Sequence, residues 1–342
     1  MRLWKRASDA LKDQSSLWQA SLRRRTALRN PDIEKAVIRA TSHHDSSPSD
    51  QRNVERVREW LRLSPSNLKP ILRSLSARIE KTHSWPVALK GLLLTHALLN
   101  CPAPAPALRA IGRLPFDLSS FRSNSAPFDA FVRAYFAFLD QKSATMFQLS
   151  AEEEKYREGF AMRHELLLLQ KLQALLDLLV GIKPAPCAAF APLILDVMDA
   201  VVVEIYDVYG RICRGIATVL LNIYSAGKAE AATALRVVHK ATQQGDDLAY
   251  FFEFCQEIRV ANAAEFPVID RIPEEGIREL EQIIEGLTNP SNVVTEGEEF
   301  KTVITEEWEK FDEDSEVGPL PATCARQQGS RNGEAPDLIT FF

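Results

Sequence analysis

Two basic residues one helical turn apart, Lys35 and Arg39, are the first place in this 342-residue sequence where residue type and spacing suggest chemistry. An i, i+4 pair lies on one helix face, and His43 continues that face by another turn. Arg52 and Arg56 repeat the spacing beyond a Ser/Pro/Asp segment at 46–50, which can fold them back beside the first pair. Several cations converging on one surface spot, helped by helix N-terminal amides, form a receptor for a polyanion such as a phosphorylated headgroup. Taken alone, Lys35 and Arg39 also fit an ordinary solvated helix face. His43 and His44 stand beside Asp45, but no further ligands cluster with them to complete a metal set.

The other candidate chemistry sits at the far end. Residues 295–317 are strongly acidic and 319–336 are rich in Pro, Gly, Gln and Asn, a composition that cannot bury enough apolar surface to order itself. Yet this stretch carries Trp308 and Phe311, and it ends in Asp337, Leu338, Ile339, Thr340, Phe341 and Phe342. Bulky apolar side chains with no core to serve suit short peptide motifs that a partner reads in extended form.

Catalytic signatures are missing. The chain has no GxxxxGK[ST] loop, no GxGxxG after a strand pattern, no GxSxG and no HExxH, so an enzyme is not expected and no cofactor is implied. The net charge of −5 conceals an asymmetry: residues 1–150 carry 24 Lys/Arg and 12 Asp/Glu, whereas 151–342 carry 17 and 34. A basic front half selects an anionic partner, either a membrane surface or nucleic acid. The nucleic-acid or helical-scaffold alternative lacks the aromatic interleaving and recognition-helix pattern that nucleic acid favours. Five scattered cysteines (Cys101, Cys187, Cys213, Cys255, Cys324), without a CxxC pair or an apolar leader, predict reduced cytosolic residues that mostly fill the core. No run of about 18 uncharged apolar residues occurs, so membrane contact is expected to be peripheral.

The elements that must position these residues read as helices throughout. The period is helical, glycine is scarce at 14, and no hairpin signal appears in the first 290 residues. Asn30-Pro31-Asp32 is an N-cap with proline at the first helical position, opening a helix to about residue 41. Further helices are predicted over 53–63, 68–81, 85–100, 128–139, 153–182, 191–225, 228–244, 246–261 and 273–287, with Gly245 separating the seventh predicted stretch after the first from the eighth. The expected fold is all-α, a solenoid or bundle of about ten helices. Three parts are expected: an amphipathic N-terminal segment (1–22), a helical domain (23–288) and a disordered acidic tail (289–342). In the N-terminal segment, Trp4, Leu11, Leu17, Trp18 and Leu22, with Arg23-Arg24-Arg25 behind them, fit either an interfacial membrane helix or a helix packed on the domain.

Three stretches carry a resemblance. Lys35-Ala-Val-Ile-Arg39-Ala-Thr41-Ser42-His43 resembles the K-A-x-x-K-A-T-[TS]-H opening of ANTH domains. Trp85-Pro-Val-Ala-Leu-Lys90, followed by His96, resembles their W-x-V-x-x-K helix. Leu114-Pro-Phe-Asp-Leu-Ser-Ser-Phe121, then Phe131-Val-Arg-Ala-Tyr135, resembles their F-x-L-S-x-F and F-[IV]-R-x-Y segment. The resemblance covers about residues 20–285 and is strongest to plant clathrin-assembly proteins. It implies a right-handed helical solenoid. It also implies a cytoplasmic, peripheral-membrane clathrin adaptor that binds phosphatidylinositol 4,5-bisphosphate or a related lipid, acting in endocytosis at coated pits and vesicles of the plasma membrane or Golgi. The lipid residues it implies are Lys35, Arg39, His43, Arg52 and Arg56. Asp337, Leu338, Ile339 and Phe341 resemble a clathrin box for the clathrin heavy chain. Trp308 and Phe311 resemble a WxxF motif for adaptor appendage domains. The family also holds vesicle SNAREs through late helices, where Tyr250–Phe254 is the candidate, core packing being the competing role. One departure stands out: where the family has a Lys-x-Lys-His cluster, this sequence has Asp50-Gln51-Arg52-Asn53. That substitution predicts weaker binding or a preference for a less phosphorylated headgroup.

Overall fold

A computed structural model describes residues 2–26, 29–44, 50–102, 111–155, 161–265 and seven positions between 277 and 286. The structure is all-α: among the described residues there is no β-strand, only an isolated bridge between Thr26 and Arg29. Its main helices are α1 (Arg2–Leu22), α2 (Pro31–Ala40), α3 (Gln51–Leu63), α4 (Leu68–Ile79), α5 (Trp85–Leu99), α6 (Asp129–Lys155), α7 (Ala161–Val180), α8 (Pro192–Leu221) and α9 (Lys228–Glu257). All described residues belong to one compact unit, Met1–Thr288. None of the described helices is long and apolar enough to cross a membrane.

The helices stack largely in chain order. α2 packs on α1, α3 and α4; α5 bridges α4 to α6 and α8; α7 packs on α6, α8 and α9. Burial follows the apolar stripe of each helix. In α4, Leu68, Ile71, Leu75 and Ile79 face inward, and each fully buried Leu or Ile contributes about 1.5–3 kcal/mol. α5 is buried nearly all round, as its continuous apolar sequence requires. It also approaches α4 so closely that a Cβ on Gly91 would lie 2.6 Å from the Ile79 Cδ1. Trp85 begins α5 by stacking on Phe128, with ring centroids 3.8 Å apart.

Three boundaries differ from those expected. α6 runs without a break from Asp129 to Lys155, through the gap left between 139 and 153. Its inward positions there include Lys142, Ser143 and Thr145, so polar residues facing the core hide the apolar period. α9 continues through Gly245 because Ala241, Gln244 and Leu248 bury one face across it, outweighing the ~1 kcal/mol cost of a helical glycine. α3 starts at Gln51 rather than Asn53, with Asp50 as its cap. The cysteines divide as well: Cys101 and Cys255 are buried, but Cys187 and Cys213 are exposed, on a turn and an outer helix face. Cys324 lies outside the described residues, as do the peptide candidates Trp308, Phe311, Asp337, Leu338, Ile339 and Phe341.

Candidate functional site

α2 presents its basic pair through a short, well-capped helix. The Asn30 side chain accepts the Asp32 N–H at 3.1 Å, and Ile33, Ala36, Val37 and Ala40 bury the opposite side. Lys35 is left half-buried and Arg39 exposed. Thr41 ends the helix, its hydroxyl donating to the Val37 carbonyl at 2.7 Å. The next residues are held from below by Lys90 of α5, only 1% exposed, whose Nζ donates to Ser42 Oγ at 3.1 Å and to the His44 carbonyl at 2.8 Å. On the far side α3 starts under Asp50, which accepts the Asn53 N–H at 3.2 Å and the Asn53 Nδ2 at 2.6 Å. Val54, Val57 and Leu61 bury the inner face of α3, leaving Arg52 and Arg56 exposed on the outer one.

α1 supplies the third wall through a residue that local pattern does not single out. Asp13 accepts the His43 N–H at 2.9 Å and contacts His43 Nδ1 at 2.6 Å, while Arg78 of α4 donates to the same carboxylate. Arg78 also donates to the Thr41 carbonyl at 3.0 Å. Burial alone would raise the Asp13 pKa. The hydrogen bonds from His43 and Arg78 outweigh it and lower the value to about 2, so the carboxylate is firmly ionised. His43 is therefore turned inward as a structural partner of Asp13 and is not displayed beside Arg39.

Between these walls lies an open cleft of about 620 Å³. α1 lines it with Asp13 and Leu17, and α2 with Ile38 and Arg39. Ser42 and His44 line it from the turn, and α3 contributes its first turn together with its cap, Asp50 to Asn53. The structure thus brings together Arg39 and Arg52, two exposed guanidiniums that carry no ion pair among the described residues. Lys35 and Arg56 flank the cleft one turn away without lining it. Sequence reasoning did not place Asp13, Ser42, His44 or Lys90 at this site. Lys90 and Ser42 left a signal as members of the quoted motifs, and His44 only as part of the incomplete His43-His44-Asp45 set.

The remaining motif residues serve the interior. His96 contacts Tyr135 Oη at 2.8 Å and Glu204 Oε2 at 2.9 Å, and Asn100 and Lys142 donate to Glu204 as well. Burial would raise the Glu204 pKa, but the His96 and Lys142 contacts pull it far below the ordinary carboxylate range. Phe251 and Phe252 are core residues and Phe254 is half-buried against the core, which leaves Tyr250 and Glu253 of that group exposed.

The ANTH domain family model matches residues 32–286. The chain belongs to the ANTH-domain family. An Arabidopsis thaliana protein named "Putative clathrin assembly protein At1g25240" is 42% identical over the whole of both chains. A second, "Putative clathrin assembly protein At1g68110", is 40% identical, again over the whole of both. A third Arabidopsis relative, "Putative clathrin assembly protein At1g14686", is 40% identical over 83% of this chain and 82% of its own. The ANTH match begins at Asp32, inside α2, so α1 and its Asp13 contact with the cleft precede the matched region.

Proposed function

We propose that this ANTH-domain chain is a membrane-peripheral clathrin adaptor. It holds a phosphoinositide headgroup in the α1–α2–α3 cleft and recruits clathrin through its C-terminal peptide in coated-vesicle formation. The observation that carries the lipid half is the convergence of Arg39 and Arg52 in one open cleft. Guanidinium forks match phosphate oxygens in pairs, and two unspent ones at one spot form an anion receptor. Lys35 and Arg56 extend the basic field around it. Support for the coat half comes from the full-length likeness to proteins named for clathrin assembly and from the Asp337–Phe341 peptide.

α1 contributes a second membrane contact in this reading. Leu11, Trp18 and Leu22 are 66%, 67% and 65% exposed and fall on one line, opposite the inward face of Asp13, Leu17 and Ala20. A line of Leu and Trp, followed by Arg23, Arg24 and Arg25, suits a helix lying at a lipid interface while its other face stays on the domain. Nothing in this function requires catalysis; the chain acts by holding two partners at once.

Vesicle sedimentation and clathrin pull-down test the two halves separately. The Lys35→Glu/Arg39→Glu/Arg52→Glu chain is expected to stop pelleting with phosphoinositide vesicles, and the wild type to pellet less as salt rises. Pelleting equal to wild type would place the lipid contact elsewhere. Leu338→Ala/Ile339→Ala/Phe341→Ala is expected to abolish clathrin pull-down by the full chain while sparing vesicle binding, because a three-anchor peptide keeps little affinity without its anchors. Trp308→Ala/Phe311→Ala is expected to spare clathrin and weaken capture of adaptor appendage domains.

A further inference from the structure

The cleft contains an anion of its own. The N-terminus of a helix offers unsatisfied N–H groups that suit a phosphate, and the first turn of α3 faces the cleft through Gln51, Arg52 and Asn53. Here that place is taken. Asp50 caps the helix, accepting the Asn53 N–H and its side-chain Nδ2, and itself lines the cleft. Two cations behind the cleft are committed: Arg78 to Asp13 and the Thr41 carbonyl, Lys90 to Ser42 and the His44 carbonyl, while Lys35 and Arg56 stand one turn away from its wall. Asp13 has its countercharge in Arg78, whereas the hydrogen-bond partner of Asp50 is the neutral Asn53. The Lys and Arg charges left unspent on the cleft wall are therefore Arg39 and Arg52, set against one uncompensated carboxylate.

Two guanidinium forks present enough donors to saturate the three terminal oxygens of one phosphomonoester. A second phosphomonoester on the same small ring would meet no further unspent lysine or arginine on the wall, and it would meet Asp50. We propose that the cleft selects an inositol headgroup bearing a single phosphomonoester over one bearing two, and that Asp50 sets this selection. The inference rests on the headgroup reading above and adds a ligand class and a specificity-determining residue to it. The shared chemistry is a phosphomonoester dianion on a polyol ring, and the source is taken to be a membrane lipid.

The decisive variant is Asp50→Asn. Asparagine caps a helix about as well as aspartate, so the substitution removes the charge and keeps the start of α3. The full-length chain would be sedimented with phosphatidylcholine vesicles doped with phosphatidylinositol 4-phosphate, phosphatidylinositol 4,5-bisphosphate or phosphatidylserine, with a thermal melt on each variant. Wild type is expected to bind the monophosphate at least as tightly as the bisphosphate, although the latter carries more charge. Asp50→Asn is expected to move the ratio toward the bisphosphate by about tenfold, the scale of one like-charge contact at a partly solvated site. A wild type that follows vesicle charge, with a ratio unmoved by Asp50→Asn, would overturn the selection and leave the headgroup site standing. Wild-type pelleting by Arg39→Glu/Arg52→Glu would overturn the site itself and the selection with it. Soluble inositol 1,4-bisphosphate separates the sources: it is expected to compete only weakly with vesicles, and competition as strong as that of the lipid would make the ligand a free inositol phosphate and overturn the membrane source.

Discussion

Two carboxylates, Asp13 and Glu204, each knot three helices together, and their surroundings differ in what they leave over. Glu204 lies between α5, α6 and α8 at 3% exposure, with His96, Asn100 and Lys142 all turned onto it. Every charge there is answered inside the knot, and nothing is available to a ligand. Asp13 ties α1 to α2 and α4 at the rim of an open cleft, where Arg39 and Arg52 stay unanswered. A buried charge must be matched by the protein itself, because water cannot reach it. A charge intended for a partner must stay solvated until the partner arrives, and the fold gives such charges to the edge.

Breaking the interior knot should have the larger effect. Glu204→Gln keeps the shape but leaves Lys142 buried without its countercharge, a change that costs about 3 kcal/mol or more. The thermal midpoint should fall by roughly 6–12 °C on that cost, while vesicle binding below the melt is retained. An unchanged midpoint would mean that Lys142 finds water, and the contrast between the two knots would lose its basis.

Asp13→Asn tests the open knot and should cost less, about 2 kcal/mol for a carboxylate held near 2 in the fold against an ordinary 3.8. Because the folded pKa is the lower one, the contribution is complete above about pH 5 and is lost as pH falls from there through the folded value. The melting difference between wild type and Asp13→Asn should therefore be constant from neutral pH down to about 5 and shrink below that. A difference that grew on acidification would assign the stabilisation to some other group.

The smallest stability change should come from the cleft cations themselves. Lys35→Glu/Arg39→Glu/Arg52→Glu should move the melt by no more than the ~0.5 kcal/mol per site typical of exposed positions, even as vesicle pelleting is lost. A large fall in the melt would show that these charges hold the fold together, and the contrast with Glu204 would dissolve.

Helix type and the order of the helices were readable because caps, prolines and apolar stripes are local signals. Asn30-Pro31 marks the start of α2 in the sequence as clearly as in the structure. The basic pairs were readable for the same reason, since the spacing of Lys35 to Arg39 and of Arg52 to Arg56 is itself a local signal, but that Arg39 and Arg52 are the two that line the cleft emerges only from the fold. What escaped depends on distant partners. Lys142 obscures α6 because its counterpart Glu204 is 62 residues away. His43 looked like a ligand-facing residue because Asp13, 30 residues earlier, is not marked by any pattern. Asp50 stood out as a departure from a motif, but its position as the cap of α3 inside the cleft emerges only from the fold.

Lys90 has a consequence for timing. A cationic side chain rooted in the most enclosed helix reaches up to grip the turn carrying Ser42 and His44. On the proposed reading, the turn that a headgroup would meet is thus already held before any encounter, and its loss of entropy would be incurred when the domain folds and not when a vesicle is met. Capture should accordingly proceed as a single, salt-sensitive collision step whose rate rises in proportion to vesicle concentration, without a slow rearrangement limiting it at high lipid. Lys90→Met, which keeps the bulk and releases the grip, should introduce such a limit.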